Sequence, residues 1–127
     1  EGKTRLTQTY LSKVNTALVN EEAQLLAKIM SAPSVVVFVM KRNKNFNDEI
    51  EDIQAISALI QNFLLLATEE GLGTFWKTPN YMSTDKFKQS LDLSTDEVIM
   101  GLIMVGYPQG LSEPKPRHSA QSLTTIF

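Results

Sequence analysis

The chain has 127 residues, of which 43% are apolar and 20% charged, and its net charge is -2. This length suits one domain with a buried core, so a single domain is expected over residues 1–127. The charge argues against a nucleic-acid partner, the lack of cysteine excludes disulfides and zinc–thiolate sites, and no apolar run approaches the roughly 20 residues of a membrane helix.

The front of the chain is predicted to be helical. Residues 3–19 carry apolar side chains at helical spacing, and residues 21–30 continue as a second helical piece. Pro33 ends that piece, because the residue before a proline is pushed out of helical geometry. The first twelve residues are polar and charged, so no signal peptide and a cytoplasmic location are expected. With no initiator methionine, the chain is expected to lack an N-terminal part of the protein.

A strand and a polar loop come next. Residues 34–40, SVVVFVM, are a continuous β-branched and aromatic run, which predicts a strand covered on both faces. The loop KRNKNFN follows, and Asn47 or Asp48 is predicted to cap the helix after it. We interpret the carboxylates of that helix's first turn as partners of the helix dipole and not as metal ligands.

The rest of the chain is organised around residues 52–78, DIQAISALIQNFLLLATEEGLGTFWKT. Apolar residues recur at helical spacing as far as Ala67 and widen to nearly the whole circumference, which predicts a helix covered on several sides. Gly71 is predicted to end this helix in the left-handed conformation. A short strand through Trp76 is predicted to stop before Pro79.

The next stretch predicts a short helix and another strand. Ser83 or Thr84 is expected to cap the helix. After a turn, residues 98–107, VIMGLIMVGY, form a second continuous apolar strand. Gly101 and Gly106 inside it indicate close approach of a helix or a ligand to the backbone.

The C-terminal region predicts an extended tail. Residues 109–121 are rich in proline and serine and have no periodicity, whereas residues 122–127, SLTTIF, predict a last strand. A strand at the end of such a tail is poorly stable alone. It is therefore expected to pair with a sheet edge, either of this chain or of a partner.

Two cations in the tail are candidates for binding a phosphate. Lys115 and Arg117 alternate with prolines, which hold the backbone stiff and extended, so the cations point roughly the same way. Arginine can engage a phosphate through two hydrogen bonds, with lysine acting as a point charge. The alternative interpretation is a solubilising tail.

Several other kinds of site are disfavoured. His118 is the only histidine, which argues against a Ser-His-Asp triad or a multi-histidine metal site. The Gly71-x-Gly73 pair follows a helix and does not open one, so it is not a dinucleotide fingerprint. No side chain is assigned as catalytic, and no metal site is predicted.

The ordered segments AISALIQNFLLLATEEGLGTFWKT, VIMGLIMVGYPQG and KPRHS resemble the FMN-dependent nitroreductase family over most of the chain. The resemblance implies an α+β, three-layer α/β/α fold with a mixed, mainly antiparallel sheet. It also implies a homodimer that exchanges its C-terminal extension and binds FMN at the interface. Such enzymes pass electrons from NADH or NADPH through FMN to nitroaromatics, quinones or related small-molecule acceptors by a ping-pong mechanism.

The resemblance also implies which residues contact the cofactor. Trp76, Lys77 and Thr78 match the family's Trp-Arg-Ser-type segment, which implies that the Thr78 amide lies near flavin N5. The Lys77 cation is then expected near the pyrimidine edge, and the KPRHS segment is similar to the one that reaches the FMN phosphate. Pro79 stands where many members have glycine, so no second N–H is expected there. For Trp76 and Lys77, ordinary strand roles remain open.

One departure from the family supports an alternative. The family's N-terminal Arg-Ser-x-Arg segment, which grips the flavin phosphate, has no counterpart here, and neither does its Pro-Ser-x-x-Asn-x-Gln-Pro-type segment. The alternative is a non-catalytic fragment or degenerate homologue that acts as a dimerisation or flavin-binding module. Within the same fold, a reductive dehalogenase or an enone reductase is a further alternative.

Overall fold

The computed structural model describes Gln24 and residues 27–29, 31–110 and 113–127. The predicted helix over residues 3–19, and most of the one over residues 21–30, lie outside these. Two helices and three strands follow in chain order: β1 (Ser34–Lys41), α1 (Phe46–Glu69), β2 (Gly73–Lys77), α2 (Asp85–Ser90) and β3 (Glu97–Gly106). Short 3-10 helices occupy Asn80–Ser83 and Gln121–Leu123.

The three strands form one sheet in the order β1-β3-β2. Both pairings in the described part of the chain are antiparallel. Strand β3 lies in the centre, which explains why its sequence is apolar after Glu97, its first residue. Strands β1 and β2 are the two edges of this three-stranded sheet. The strands predicted over residues 34–40 and 98–107 are confirmed as β1 and β3.

The pairing of β1 with β3 contains one register shift. Phe38 pairs with Gly101 and Val39 pairs with Ile99, so Met100 is an extra residue on β3. An insertion of this kind is a β-bulge, and it changes which side chains face each side of the sheet.

The sheet is covered on both faces. Directly paired residues project to the same side of a sheet, so the pairing shows which side chains share a face. On one face, Ile99 and Leu102 belong to a buried cluster with residues from the helical segments: Ile29, Tyr81 and Phe87. On the other face, the rings of Phe38 and Phe63 meet edge to face with centroids 5.5 Å apart, which joins α1 to β1. The described elements therefore form the expected three layers.

Helix α1 begins at a different asparagine from the two residues predicted to cap it. The side chain of Asn45 accepts a hydrogen bond from the Asn47 amide at 3.0 Å and is the N-cap. The prediction of Asn47 or Asp48 was therefore wrong by two or three residues. The loop is rich in asparagine, and Asn45 is itself held by a hydrogen bond from its amide to the Asn43 side chain at 3.1 Å.

The end of α1 confirms the predicted glycine turn. Gly71 has a φ of 72°, in the left-handed region where glycine is favoured. The Leu72 amide donates to the Ala67 carbonyl at 2.8 Å, and the Gly71 amide donates to Thr68 at 3.0 Å. This pair of bonds is the Schellman arrangement, which satisfies carbonyls that would otherwise be unbonded at the helix end.

Helix α1 is less covered than its sequence predicts. Ile60 and Ala67 are its buried residues. Leu59, Leu65 and Leu66 are 54%, 59% and 61% exposed. The expectation of cover on several sides is therefore not met by the described residues of this chain, and α1 presents an uncovered apolar surface.

Helix α1 is also long and apolar enough to cross a membrane, by length and composition alone: it has 24 residues and a mean hydropathy of 1.3 over an 18-residue window. The expectation that no segment meets this criterion was wrong for that reason. A mostly buried core helix of a soluble protein passes the same test. Only 11% of the tested window of α1 is buried, although the helix contacts β1 through Phe63.

A hydrogen-bonded turn holds the start of β3 against the end of β1. Glu97 accepts from the Ser94 amide at 2.7 Å, and Lys41 forms an ion pair with Asp96 at 3.2 Å. Hydrogen bonding to the Ser94 hydroxyl, and then to Lys41, lowers the pKa of Asp96. The Ser94 amide lowers the pKa of Glu97. Both carboxylates are therefore favoured in their charged form.

The predicted last strand does not form within this chain. Residues 124–127 have no regular secondary structure, and Gln121–Leu123 form a 3-10 helix. Leu123 is 74% exposed and Ile126 is 92% exposed. Because the segment reaches no edge of its own sheet, it gains none of the main-chain bonds that would stabilise a strand.

Helix α2 supplies Phe87, a fully buried side chain of the cluster that covers one face of the sheet. Thr84 caps it, as predicted, by accepting from the Phe87 amide at 3.3 Å. Phe87 is fully buried, and its ring lies 5.1 Å from that of Tyr81.

We predict that Phe87→Ala destabilises the fold by about 3–5 kcal/mol, through lost burial and the cavity that remains. Urea unfolding monitored by circular dichroism measures this. The matched control is Phe46→Ala, because Phe46 is 74% exposed, and a change within about 1 kcal/mol is expected there. Equal losses in the two variants would contradict this account of the core.

Candidate functional site

The candidate site is the end of β2. Lys77 is the last strand residue, Thr78 follows it and is exposed, and Pro79 begins the next turn. The Met82 amide donates to the Pro79 carbonyl at 3.0 Å, which fixes the start of that turn. Because β2 is an edge of the described sheet, its outer main-chain groups face away from β3.

Trp76 has a strand role in this structure. It pairs with Ile103, so its side chain projects to the α1 face. The indole nitrogen donates to the Met100 carbonyl at 3.3 Å, and the residue is half-buried. The ordinary strand role, left open by the sequence, is therefore present.

The two glycines of β3 leave room for side chains of the same chain. A helix or a ligand was expected to approach there. A Cβ at Gly101 would lie 2.6 Å from Trp76 Cδ1, and a Cβ at Gly106 would lie 2.7 Å from Pro33 Cδ. The prediction of close approach is confirmed for both positions. The identity of the approaching group was wrong, because a strand glycine indicates contact without indicating with what.

Lys77 projects to the face opposite Trp76, since side chains alternate along a strand. Its ammonium lies 4.3 Å from the centroid of the Phe75 ring. Phe75 is 57% exposed, and a cation over an exposed ring gains about 0.5–1 kcal/mol. This contact was not predicted, although the two-residue spacing in a predicted strand places both side chains on one face.

Lys115 and Arg117 lie on the exposed tail. Residues 113–119 have no regular secondary structure, and both cations are exposed. Within the described residues, no hydrogen bond or ion pair joins them to β2. His118 is exposed as well, and the described part of the chain contains no cluster of three potential metal ligands. A shared site for Lys115, Arg117 and β2 stays a prediction.

Two cavities lie at other places on the sheet. One of about 430 Å³ lies between β1 and α1 and includes Met40, Ile56 and Leu59. Another of about 250 Å³ lies where β2 begins and β3 ends and includes Phe75. Thr78 and Arg117 line neither of these two cavities. The predicted cofactor contacts therefore stay a prediction as well.

Comparison with known proteins gives the family. The model of the nitroreductase family matches residues 2–107. YfhC of Bacillus subtilis (strain 168), provisionally named an NAD(P)H nitroreductase, is 29% identical over 120 residues, which is 91% of this chain and 62% of YfhC. The chain thus spans less than two thirds of the length of this curated relative.

Solved structures agree on the fold. A nitroreductase-like family protein from Bacillus cereus is 27% identical with a TM-score of 0.87, over 100% of this chain and 68% of that one. The FMN and NADPH-dependent nitroreductase NfnB from sphigopyxis sp. strain HMH has a TM-score of 0.63 over 98% of this chain and 57% of that one. At 15% identity, the second likeness concerns the fold alone. The family match over most of its length shows that this chain belongs to the nitroreductase family.

Proposed function

We propose that the chain belongs to an FMN-dependent oxidoreductase. It would pass electrons from NADH or NADPH to nitroaromatics, quinones or related acceptors by a ping-pong mechanism. The observation that carries the proposal is the family match over residues 2–107, which includes the whole of β2 and Thr78. YfhC, the B. subtilis relative, has a name of the same class.

The end of β2 fits one edge of a flavin ring. When bound, FMN supplies the redox chemistry, and the protein supplies position and electrostatics. Thr78 is exposed beyond the strand, so its amide is the proposed hydrogen-bond donor to flavin N5. Pro79 has no N–H, so it offers no second donor. A main-chain donor has the advantage that it does not titrate.

Lys77 is the proposed positive charge beside the ring. Its ammonium is held 4.3 Å from the Phe75 ring centroid at the same strand end. That contact is weak, so the Lys77 ammonium can give it up for a stronger interaction with the negative charge that develops on the flavin ring during reduction. Lys77 would thus stabilise the reduced state without forming a bond to it.

Lys115 and Arg117 are the proposed phosphate contacts. Both are exposed, and the tail around them has no regular secondary structure, so their donors are accessible. A bidentate arginine with a neighbouring lysine matches the geometry and charge of a phosphate monoester.

A homodimer is proposed because each chain leaves apolar surface uncovered. Leu59 and Leu66 lie seven residues apart on one side of α1, and both are more than half exposed, at 54% and 61%. The edge strand β1 and the cavity of about 430 Å³ beside it adjoin Leu59. The exposed Leu123 and Ile126 give the tail apolar groups of its own. We propose that the tail of one protomer packs on this surface of the other.

We predict that the protein, incubated with FMN and then freed of unbound flavin, is yellow and is bleached by NADH or NADPH. Thr78→Pro should abolish or strongly slow bleaching, because it removes the proposed N5 donor. The matched control is Thr78→Ala, which keeps the amide and should react normally. Anaerobic stopped-flow absorbance measures both rates. Full flavin reduction in Thr78→Pro would count against the Thr78 contact, and no flavin binding by the wild-type chain would favour the non-catalytic alternative.

Arg117→Ala is predicted to weaken FMN binding by roughly 10–100-fold at low salt, as expected for a lost hydrogen bond between charged groups. Isothermal titration calorimetry measures the affinity. Riboflavin, which lacks the phosphate, provides the control ligand, and its affinity should be the same for the variant and the wild type. Arg42→Ala is the control variant. If Arg117→Ala binds FMN normally at low and high salt, the solubilising-tail interpretation is correct.

Removal of residues 122–127 is predicted to weaken the dimer by at least tenfold, because the truncation deletes the apolar groups proposed to pack on the partner. Analytical ultracentrifugation over a range of concentrations measures the dissociation constant. Replacement of Thr124 and Thr125 by serine serves as the control. Unchanged dimerisation after truncation would overturn the proposed tail exchange.

A further inference from the structure

The β-bulge leaves a main-chain acceptor beside β2. Met100 is the extra residue on β3, between the pairs that Ile99 and Gly101 make with β1. The carbonyl of Met100 accepts a hydrogen bond from Trp76 Nε1 at 3.3 Å. The donor belongs to β2, so this bond connects the strand of the candidate site to the irregular point of the central strand.

The space for that bond depends on the absence of a side chain at position 101. A Cβ there would lie 2.6 Å from Trp76 Cδ1, closer than real Cβ contacts come, and 3.1 Å from Trp76 Cε2, which is tighter than most of them. The indole is bulky and half-buried, so it cannot yield as the tip of a flexible chain would. Trp76, Met100 and Gly101 thus form one unit, called here the indole tether.

The tether acts at the point where the regular pairing of β2 stops. The last pair between β2 and β3 is Lys77 with Leu102. Met100 lies two residues beyond Leu102 along β3, so the indole reaches past the end of the ladder. On the other side of Thr78, Pro79 lacks an N–H with which the ladder could continue. The tether therefore adds a restraint at a place where pairing supplies none.

We propose that Trp76 is a positioning residue: through the indole tether it fixes the direction in which Lys77 and Thr78 leave the sheet. Trp76 projects to the α1 face and Lys77 to the opposite one, so the indole restrains the backbone without occupying the side on which the Lys77 ammonium lies. The consequence for flavin rests on the proposed function, whereas the restraint on the Thr78 amide does not.

The test removes the indole N–H and keeps the shape of the side chain. Trp76 is the only tryptophan, so growth with benzothienylalanine, which has sulfur in place of the N–H group, alters this one position. Gly101→Ala is the second variant, because it displaces the ring by contact. Phe46→Leu is the control, since Phe46 is 74% exposed and lies at the start of α1.

Three quantities are measured on each protein: the backbone order parameter of the Thr78 N–H without flavin, from nitrogen-15 relaxation, the dissociation constant for FMN, and the melting temperature. Loss of the tether should lower the Thr78 order parameter to below about 0.6, from about 0.85 for rigid backbone. It should also weaken FMN binding by roughly tenfold, about the contribution of one ordinary hydrogen bond. The order parameter of Met104, which pairs with Phe75 inside the ladder, should be unchanged.

Two results would overturn the proposal. One is a Thr78 order parameter that stays at the wild-type value in both altered proteins. The other is an equal fall at Thr78 and Met104 with a lower melting temperature, which indicates a purely structural tryptophan. A wild-type protein that binds no FMN would refute the proposed function instead. In that case, the order parameters alone still decide whether the tether restrains Thr78.

Discussion

The central strand β3 is paired on both edges and packed on both faces, and the rest of the fold follows from that constraint. From Val98 to Gly106 this strand carries no polar side chain, and every group it buries must find a partner. The bulge at Met100 resolves one difficulty, because it brings Ile99 to the same face as Leu102. That face then matches the helical segments which cover it, and the opposite face is left for α1.

Local signals made much of the fold predictable. Gly71 lies after a long helical pattern and has the left-handed φ that such a position favours. Thr84 caps its helix because a short polar side chain precedes an apolar pattern. The cap of α1 was missed, because several polar residues near its start satisfy the same rule and only the folded loop selects Asn45.

Features that depend on contacts between residues far apart in the chain could not be predicted from the sequence. A run such as VIMGLIMVG contains no polar residue to mark its faces, so a one-residue insertion at Met100 leaves no periodic trace. The approach of Trp76 to Gly101 joins residues 25 positions apart, and the glycine alone indicates only that something is close. The last strand was predicted from composition, but a strand also needs a pairing partner, and the tail pairs with neither edge of the described sheet.

The position of Trp76 gives this chain an intrinsic optical reporter. Since the chain contains one tryptophan, all indole emission arises from the strand that leads to Lys77 and Thr78. A flavin absorbs in the range where indole emits, so a ring seated near this strand would quench that light by energy transfer. Binding of a flavin near this strand would therefore be visible in solution without a label when the indole is excited selectively over the three tyrosines.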